Sequence, residues 1–140
     1  MASFSTIRQA IAAKILEISG FKQTTSTPDL FLRTQDTIAH KAFAVGLSNS
    51  LGMTERQRRS VGVYVETPIT VIFAYQLRPM DRYPTDYDLS LDTEELVINK
   101  VLEAYTNKAF TIRYLSSLRE VTESEEHIII TLEFTTQHTI

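Results

Sequence analysis

The stretch SVGVYVETPITVIFAYQL, residues 60 to 77, decides the fold, because apolar side chains recur at every second position on both sides of Pro68. A period of two is typical of a β-strand with one face buried. Proline cannot donate a ladder hydrogen bond, so Pro68 marks a bulge, an edge or a turn. The link Glu66-Thr67-Pro68 lacks the Asn-Gly or Asp-Gly signal of a hairpin. We therefore expect one long strand bent at Pro68, with a hairpin as the alternative.

A basic loop leads into this strand. The connection from Ser48 to Arg59 is polar and carries three arginines, Arg56, Arg58 and Arg59. No aromatic residue is interleaved with them, and no predicted helix presents them to a DNA groove. Contact with protein, or plain solvent exposure, is therefore favoured over binding of nucleic acid.

A polar loop and a helix are expected after the strand. Residues 80 to 88 contain Pro84 and three aspartates, which is typical of a loop. Asp92 and Glu95 have the spacing of a capping box and predict a helix from about Thr93 to Tyr105. The apolar stripe expected to pack on the sheet consists of Val97, Ile98, Val101, Leu102 and Tyr105.

The two ends of the chain supply the other elements. Ser5 as N-cap, isoleucines at helical spacing and Gly20 predict a helix over about Thr6 to Ser19. Shorter strands are expected at Leu30–Leu32, at Ala42–Leu47 and, as an antiparallel pair, at Phe110–Leu118 and His127–Thr136. The whole chain, 1–140, is thus predicted to be one α+β domain: a mostly antiparallel sheet of four to five strands with two helices packed on it.

The composition narrows the possible chemistry. The chain has no cysteine, which excludes disulfides, a thiol nucleophile and sulfur-ligated zinc. The three histidines lack metal-ligand spacing, and the aspartates of residues 81 to 88 lack the glycine and glutamate of an EF-hand. No apolar run reaches the roughly 18 residues of a membrane span. We expect no catalytic residues, no metal, no cofactor and no membrane association.

Charge is unevenly distributed along the chain. Residues 1–70 hold eight Lys and Arg against five Asp and Glu (+3), and residues 71–140 hold six against twelve (−6). Surfaces of opposite sign allow copies to associate head-to-tail. The arginines of the basic loop are candidate interface residues on one side. Those on the other side lie in the acidic turn between the last two strands: Glu120, Glu123, Glu125 and Glu126.

The order of elements resembles that of a family of phage proteins. STIRQAIAAKIL is similar to an opening helix, KAFAVGL to a short core strand, and RQRRSVGVYVETPITVIFAYQL to a long strand preceded by a protruding loop. YDLSLDTEELVINKVLEAY is similar to a second helix and HIIITLEFTTQH to a closing strand. Together these patterns resemble the tail terminator proteins of long-tailed bacteriophages, the lambda-type minor tail protein U family, over nearly the whole chain. Pro68 departs from the pattern of an uninterrupted long strand.

The resemblance implies a structural role in the virion tail, assembled in the host cytoplasm. Family members form a hexameric ring on the head-proximal end of the tail tube, which stops tube polymerisation and joins the tail to the neck. The implied partners are further copies of the chain, the major tail tube protein and a neck or head-completion protein. DNA passes through the lumen without specific binding. No enzymatic activity is expected.

Two other functions stay open at this point. The first is a neck or head-completion protein, or another tail-tube-like structural protein, since such proteins share small α+β folds and ring assembly. The second is a small cytoplasmic ligand-binding domain or enzyme, which would need a pocket with convergent polar groups.

Overall fold

The computed structural model describes residues 3–24, 39–48, 51–52, 64–78, 82–104 and 110–139. Within these ranges the fold is α+β, as predicted, with two helices and a mostly antiparallel sheet. The strand order is β1-β2-β4-β6-β5, and the two-residue β3 pairs with β4. Among these strands only β1 and β2 run parallel. The elements in chain order are α1 (Phe4–Leu16), β1 (Lys22–Gln23), β2 (Ala42–Leu47), β3 (Leu51–Gly52), β4 (Tyr64–Gln76), α2 (Tyr83–Glu103), β5 (Phe110–Val121) and β6 (His127–Thr139).

Strand β4 is continuous through Pro68, which confirms the single strand over Tyr64–Gln76; residues 60–63 lie outside the described residues. Pro68 stands opposite Thr135 of β6. On the other edge of β4, the Ser48 amide donates to the Pro68 carbonyl at 3.1 Å. The amide and carbonyl of one residue in an antiparallel strand face the same edge. The Pro68 nitrogen therefore faces Ser48, just past the end of β2, where proline cannot donate the reciprocal bond and the β2 ladder stops.

Both helices contribute to one core on one face of the sheet. Alternate residues of β4 and β6 face it in register, for example Phe73 opposite Ile130 and Val71 opposite Leu132. The four β6 residues predicted to share a face are all fully buried there: Ile128, Ile130, Leu132 and Phe134. This burial of apolar surface is the main stabilising contribution to the fold.

The opposite face holds a smaller buried cluster, formed by Ala42, Ala44, Ile72, Ala74 and Ile129. Farther along this face, cross-strand hydrogen bonds replace apolar contacts. The Thr70 hydroxyl donates to the Glu133 carboxylate at 3.0 and 3.2 Å, and the Thr135 hydroxyl donates to Glu66 at 3.0 Å.

Helix α1 begins two residues earlier than predicted. Ser3, not Ser5, is the N-cap, because its hydroxyl accepts the Thr6 amide at 3.1 Å. The helix ends at Leu16, and the chain then turns as far as Gly20, whose φ of +85° is the left-handed conformation that glycine adopts readily. The predicted isoleucine stripe is buried, including Ile18 beyond the helix end.

The prediction for α2 was wrong at its start. The helix begins at Tyr83, so residues 83–88 are helical rather than a loop, and Asp92 lies in the helix interior rather than at a cap. Proline is favourable in the first turn, where an amide would lack a partner, so Pro84 starts the helix instead of preventing it. The helix ends at Glu103, and Tyr105 lies outside the described residues.

The apolar stripe of α2 is correct in part. Val97 and Val101 are fully buried and Ile98 packs at the margin of the core, but Leu102 is 38% exposed. The helix turns Glu94, Val97 and Val101 toward the sheet, which rotates Leu102 outward.

The other strands agree closely with the sequence. Ala42–Leu47 is β2 as predicted, and β5 and β6 extend the predicted pair to Val121 and Thr139. The strand proposed at Leu30–Leu32 lies outside the described residues.

Candidate assembly interface

The acidic turn predicted as an interface is an exposed turn between β5 and β6. Glu120 lies near the end of β5, and Glu123, Glu125 and Glu126 follow it; all four are exposed. The turn is closed by the Thr122 amide donating to the His127 carbonyl at 2.9 Å, and the Leu77 amide fixes it to the end of β4 by donating to the Glu126 carbonyl at 2.8 Å. Four carboxylates are thus presented to solvent on a backbone that the sheet holds in place.

The three arginines predicted as the opposite side of the interface, Arg56, Arg58 and Arg59, lie outside the described residues. The structure therefore brings together only the acidic half of the predicted site.

Strand β5 carries an apolar surface that the sequence did not indicate as a site. It is the last strand of the sheet on its side, within the described ranges. Its exposed fractions are 37% for Tyr114, 50% for Leu115, 55% for Leu118 and 40% for Val121. We call these four residues the β5 edge surface. A long apolar edge strand favours association with another chain.

A bulge interrupts this surface. The register between β5 and β6 shifts between Tyr114 and Ser116, so Leu115 is the extra residue. A bulge adds one residue to one strand and re-aims the side chains after it. The signal in the sequence is that Leu115 and Leu118 stand three positions apart. Residues at that spacing face opposite sides of a regular strand.

An ion pair ties α2 to β5 behind this edge. The Arg119 guanidinium donates to both carboxylate oxygens of Glu94, at 2.6 Å each, in a bidentate arrangement. The Glu94 side chain is 5% exposed and that of Arg119 is 41% exposed. The hydrogen bonds to Glu94 raise the pKa of Arg119 further above its ordinary value, so the guanidinium is charged throughout the usual pH range.

A second ion pair holds the start of α2 against the end of β4. The Asp86 carboxylate accepts the Arg78 amide at 2.7 Å and its guanidinium at 2.8 and 3.0 Å. These bonds, first those from the side chain and then that from the backbone, lower the pKa of Asp86 from 3.8 to about 2. Asp86 is 1% exposed, so it is not part of a solvated loop as the sequence suggested.

Two histidines lie at the same end of the sheet as the acidic turn. His40 Nδ1 accepts a hydrogen bond from the Gln76 amide at 3.0 Å. Its ring packs edge-on against the ring of Tyr75, with 4.6 Å between the two ring centroids. Burial, and then the nearby positive charge of Lys41, lowers the pKa of His40. Burial also lowers the pKa of His127. Both imidazoles are therefore neutral at pH 7 and serve the packing of this end.

On the far side of the sheet from β5, three of the described residues are basic. Lys22 of β1 is exposed, and Lys41, just before β2, donates to the Ser19 carbonyl at 3.2 Å. Arg8 of α1 donates to the Val45 carbonyl of β2 at 3.0 Å. We call Arg8, Lys22 and Lys41 the basic edge. Among the described residues, the acidic turn and the basic edge thus lie on opposite lateral sides of the domain.

Among the described residues, no group of three or more His, Cys, Asp or Glu side chains is placed to hold a metal ion. In the same ranges, no helix has the length and hydropathy needed to cross a membrane. Comparison of the sequence with known protein families and with curated proteins finds no match in either.

Proposed function

We propose that this chain is a structural protein of a long-tailed phage virion, a tail terminator that forms a ring at the head-proximal end of the tail tube. In this role it stops tube polymerisation and joins the tail to the neck. The observation that supports the proposal best is the β5 edge surface lying directly beside the exposed acidic turn. Apolar area supplies affinity and rim charge supplies orientation, which is the usual composition of a protein interface.

The arrangement of charge also favours ring formation. A closed ring is a heterologous assembly, in which one surface of each subunit meets a different surface of the next. The basic edge and the acidic turn lie at opposite ends of the strand order, as such an assembly requires. The resemblance in element order to the tail terminators supplies the rest of the proposal: six copies, the tail tube below and a neck or head-completion protein above.

The basic loop adds a contact to the same scheme. Arg56, Arg58 and Arg59 pair with the acidic turn of a neighbouring copy or with the tail tube. Pairs of this kind at a rim contribute little free energy individually and weaken with salt. Their main effect is on docking register and rate.

Tube length tests the proposal. A major tail tube protein of the phage that encodes this chain is polymerised with and without it, tube lengths are measured by electron microscopy, and capped tubes are weighed by native mass spectrometry. We expect tubes to stop growing and to carry six copies. Tubes that elongate unchecked, or a bound dimer or trimer, would refute the terminator role. Binding to heads but not to tubes would instead indicate a head-completion protein.

Matched variants locate the contact. Replacing Arg56, Arg58 and Arg59 by alanine should delay capping, and so should alanines at Glu120, Glu123 and Glu126. Alanines at Asp88, Asp92 and Glu95 are the control, because they remove the same number of exposed carboxylates from α2 and leave the acidic turn intact. Equal capping by all three variants would exclude the charged contact.

A further inference from the structure

We infer that neighbouring copies meet through the β5 edge of one copy and the β1 edge of the next, with Glu120 facing Lys22 across the contact. The inference deepens the proposed ring by naming its subunit interface. It takes from that proposal only the requirement for two different surfaces on each copy.

One row of paired residues crosses the sheet from β1 to β5, its two outermost strands among the described residues. Lys22 pairs with Ala42 at one edge, and Glu120 pairs with Ile129 at the other. Ile129 pairs with Ala74, and the Lys41 amide donates to the Ala74 carbonyl at 2.7 Å, which sets Ala42 beside Ala74. Lys22 and Glu120 are therefore the two ends of one row. If a second copy continues the sheet, the lysine at the end of its row meets the glutamate at the end of the first.

The neighbouring row supplies apolar surface at the same edge. Leu118 pairs with Thr131 and lies two residues from Glu120 on the same face of the sheet. It is the most exposed large apolar side chain of the β5 edge surface, at 55%. A subunit placed to pair Lys22 with Glu120 covers Leu118 as well. The apolar contact then supplies affinity, while the charge pair sets the register.

The charges beyond this row match too. Glu123 and Glu126 continue the acidic side past the end of β5, and Lys41 and Arg8 flank Lys22 on the basic side. Lys41 adjoins the N-terminal end of β2, which lies at the same end of the sheet as the acidic turn, because β2 and β6 both run antiparallel to β4. Lys22 and Lys41 are thus level with the acidic turn on the opposite side of the domain, whereas Arg8 lies farther along β2, at Val45. Two β5 edges meeting about a two-fold axis would leave the basic edge unused.

Thiol cross-linking tests this contact directly, because the chain has no cysteine of its own. Lys22→Cys and Glu120→Cys are made as separate variants and treated with a short bismaleimide, each alone and as an equal mixture. We expect a cross-linked dimer in the mixture and none from either variant alone. The variant that carries both cysteines should give a ladder ending at the closed ring. Leu96→Cys, on the outer side of α2, is the control for random collision.

A charge-reversal series adds a readout that folding alone would not change. Lys22→Glu and Glu120→Lys should each reduce ring formation on tail tubes, and the double variant should restore it. Both positions are exposed, so neither change removes core packing.

The outcomes separate the contact from the function. A dimer formed by Glu120→Cys alone would show a two-fold contact and overturn the inference. Rings of six that cap tubes but never cross-link in the mixture would overturn the contact and leave the terminator role standing. Cross-linking of the mixture by a chain that does not cap tubes would refute the terminator role and support the contact.

Discussion

Replacing Arg119 by methionine should destabilise the fold, because it leaves the Glu94 carboxylate without its partner at a 5% exposed site. Arg119 makes both hydrogen bonds to that carboxylate that the structure shows, at 2.6 Å. Leaving a buried charged group unsatisfied costs more than about 1–3 kcal/mol, and breaking a buried ion pair costs about 3–5 kcal/mol. Since Arg119 is itself 41% exposed, water can partly reach the site. We expect a loss of about 2–4 kcal/mol.

The assay is urea unfolding at pH 7 of four proteins: the wild type, Arg119→Met, Glu94→Met and the double variant. Replacing both partners by apolar side chains removes the stranded charge, so the double variant should be more stable than Arg119→Met alone. A loss below about 0.5 kcal/mol for Arg119→Met, typical of a surface site, would refute the reasoning. A double variant no more stable than Arg119→Met would also contradict it.

Two other predictions concern α2 and His40. Val101→Ala should lower the free energy of unfolding by about 2 kcal/mol, since it removes two buried methyl groups and leaves a cavity. Leu102→Ala should lower it by less than about 1 kcal/mol, because that side chain is partly exposed. Thermal melting compares the two variants, and equal losses of stability would contradict the orientation of the helix. The pKa of His40 is lowered from 6.5 in the folded protein. Its contribution to stability is therefore present above pH 6.5 and is lost as the pH falls through the lowered pKa. Protonation there removes the nitrogen lone pair that accepts the Gln76 amide. Urea unfolding between pH 7 and pH 5 should show a shallower pH dependence for His40→Asn, and slopes equal to the wild type would exclude His40 as the cause.

The sheet was predictable because its central strands obey a simple period. From Ile69 to Tyr75 in β4 and from Ile128 to Phe134 in β6 every second residue is apolar, and Pro68 was the one ambiguous position. The sequence could not show that Pro68 faces the interval between β2 and β3, since that depends on residues distant in the chain.

The helix α2 was less predictable because polar residues occupy part of its buried face. Asp86, Ser90 and Glu94 are buried, and each looks like a surface residue in the sequence. Asp86 depends on Arg78 and Glu94 on Arg119, and no local pattern indicates such partners. With these positions taken as exposed, the apolar period seemed to begin at Val97 and to include Leu102.

The candidate interface was predictable only where it depends on charge. The glutamates after β5 form an evident cluster in the sequence. Leu115 and Leu118 were read as ordinary strand residues, because a bulge depends on the opposing strand as well as on its own.

The central ladder joins β4 to β6, although the whole of α2 and β5 lies between them in the chain. Even its nearest partners, Gln76 and His127, meet only after that segment has closed into a loop. Loop closure loses chain entropy before the contacts of the ladder compensate for it, so sheets built this way fold slowly. The β5–β6 hairpin needs only a short turn and can form first, and until β4 arrives both of its edges are open to other unfolded chains. Protein concentration during refolding, more than the stability of the finished sheet, should then determine how much native protein is recovered, and the yield measured over a dilution series reports it.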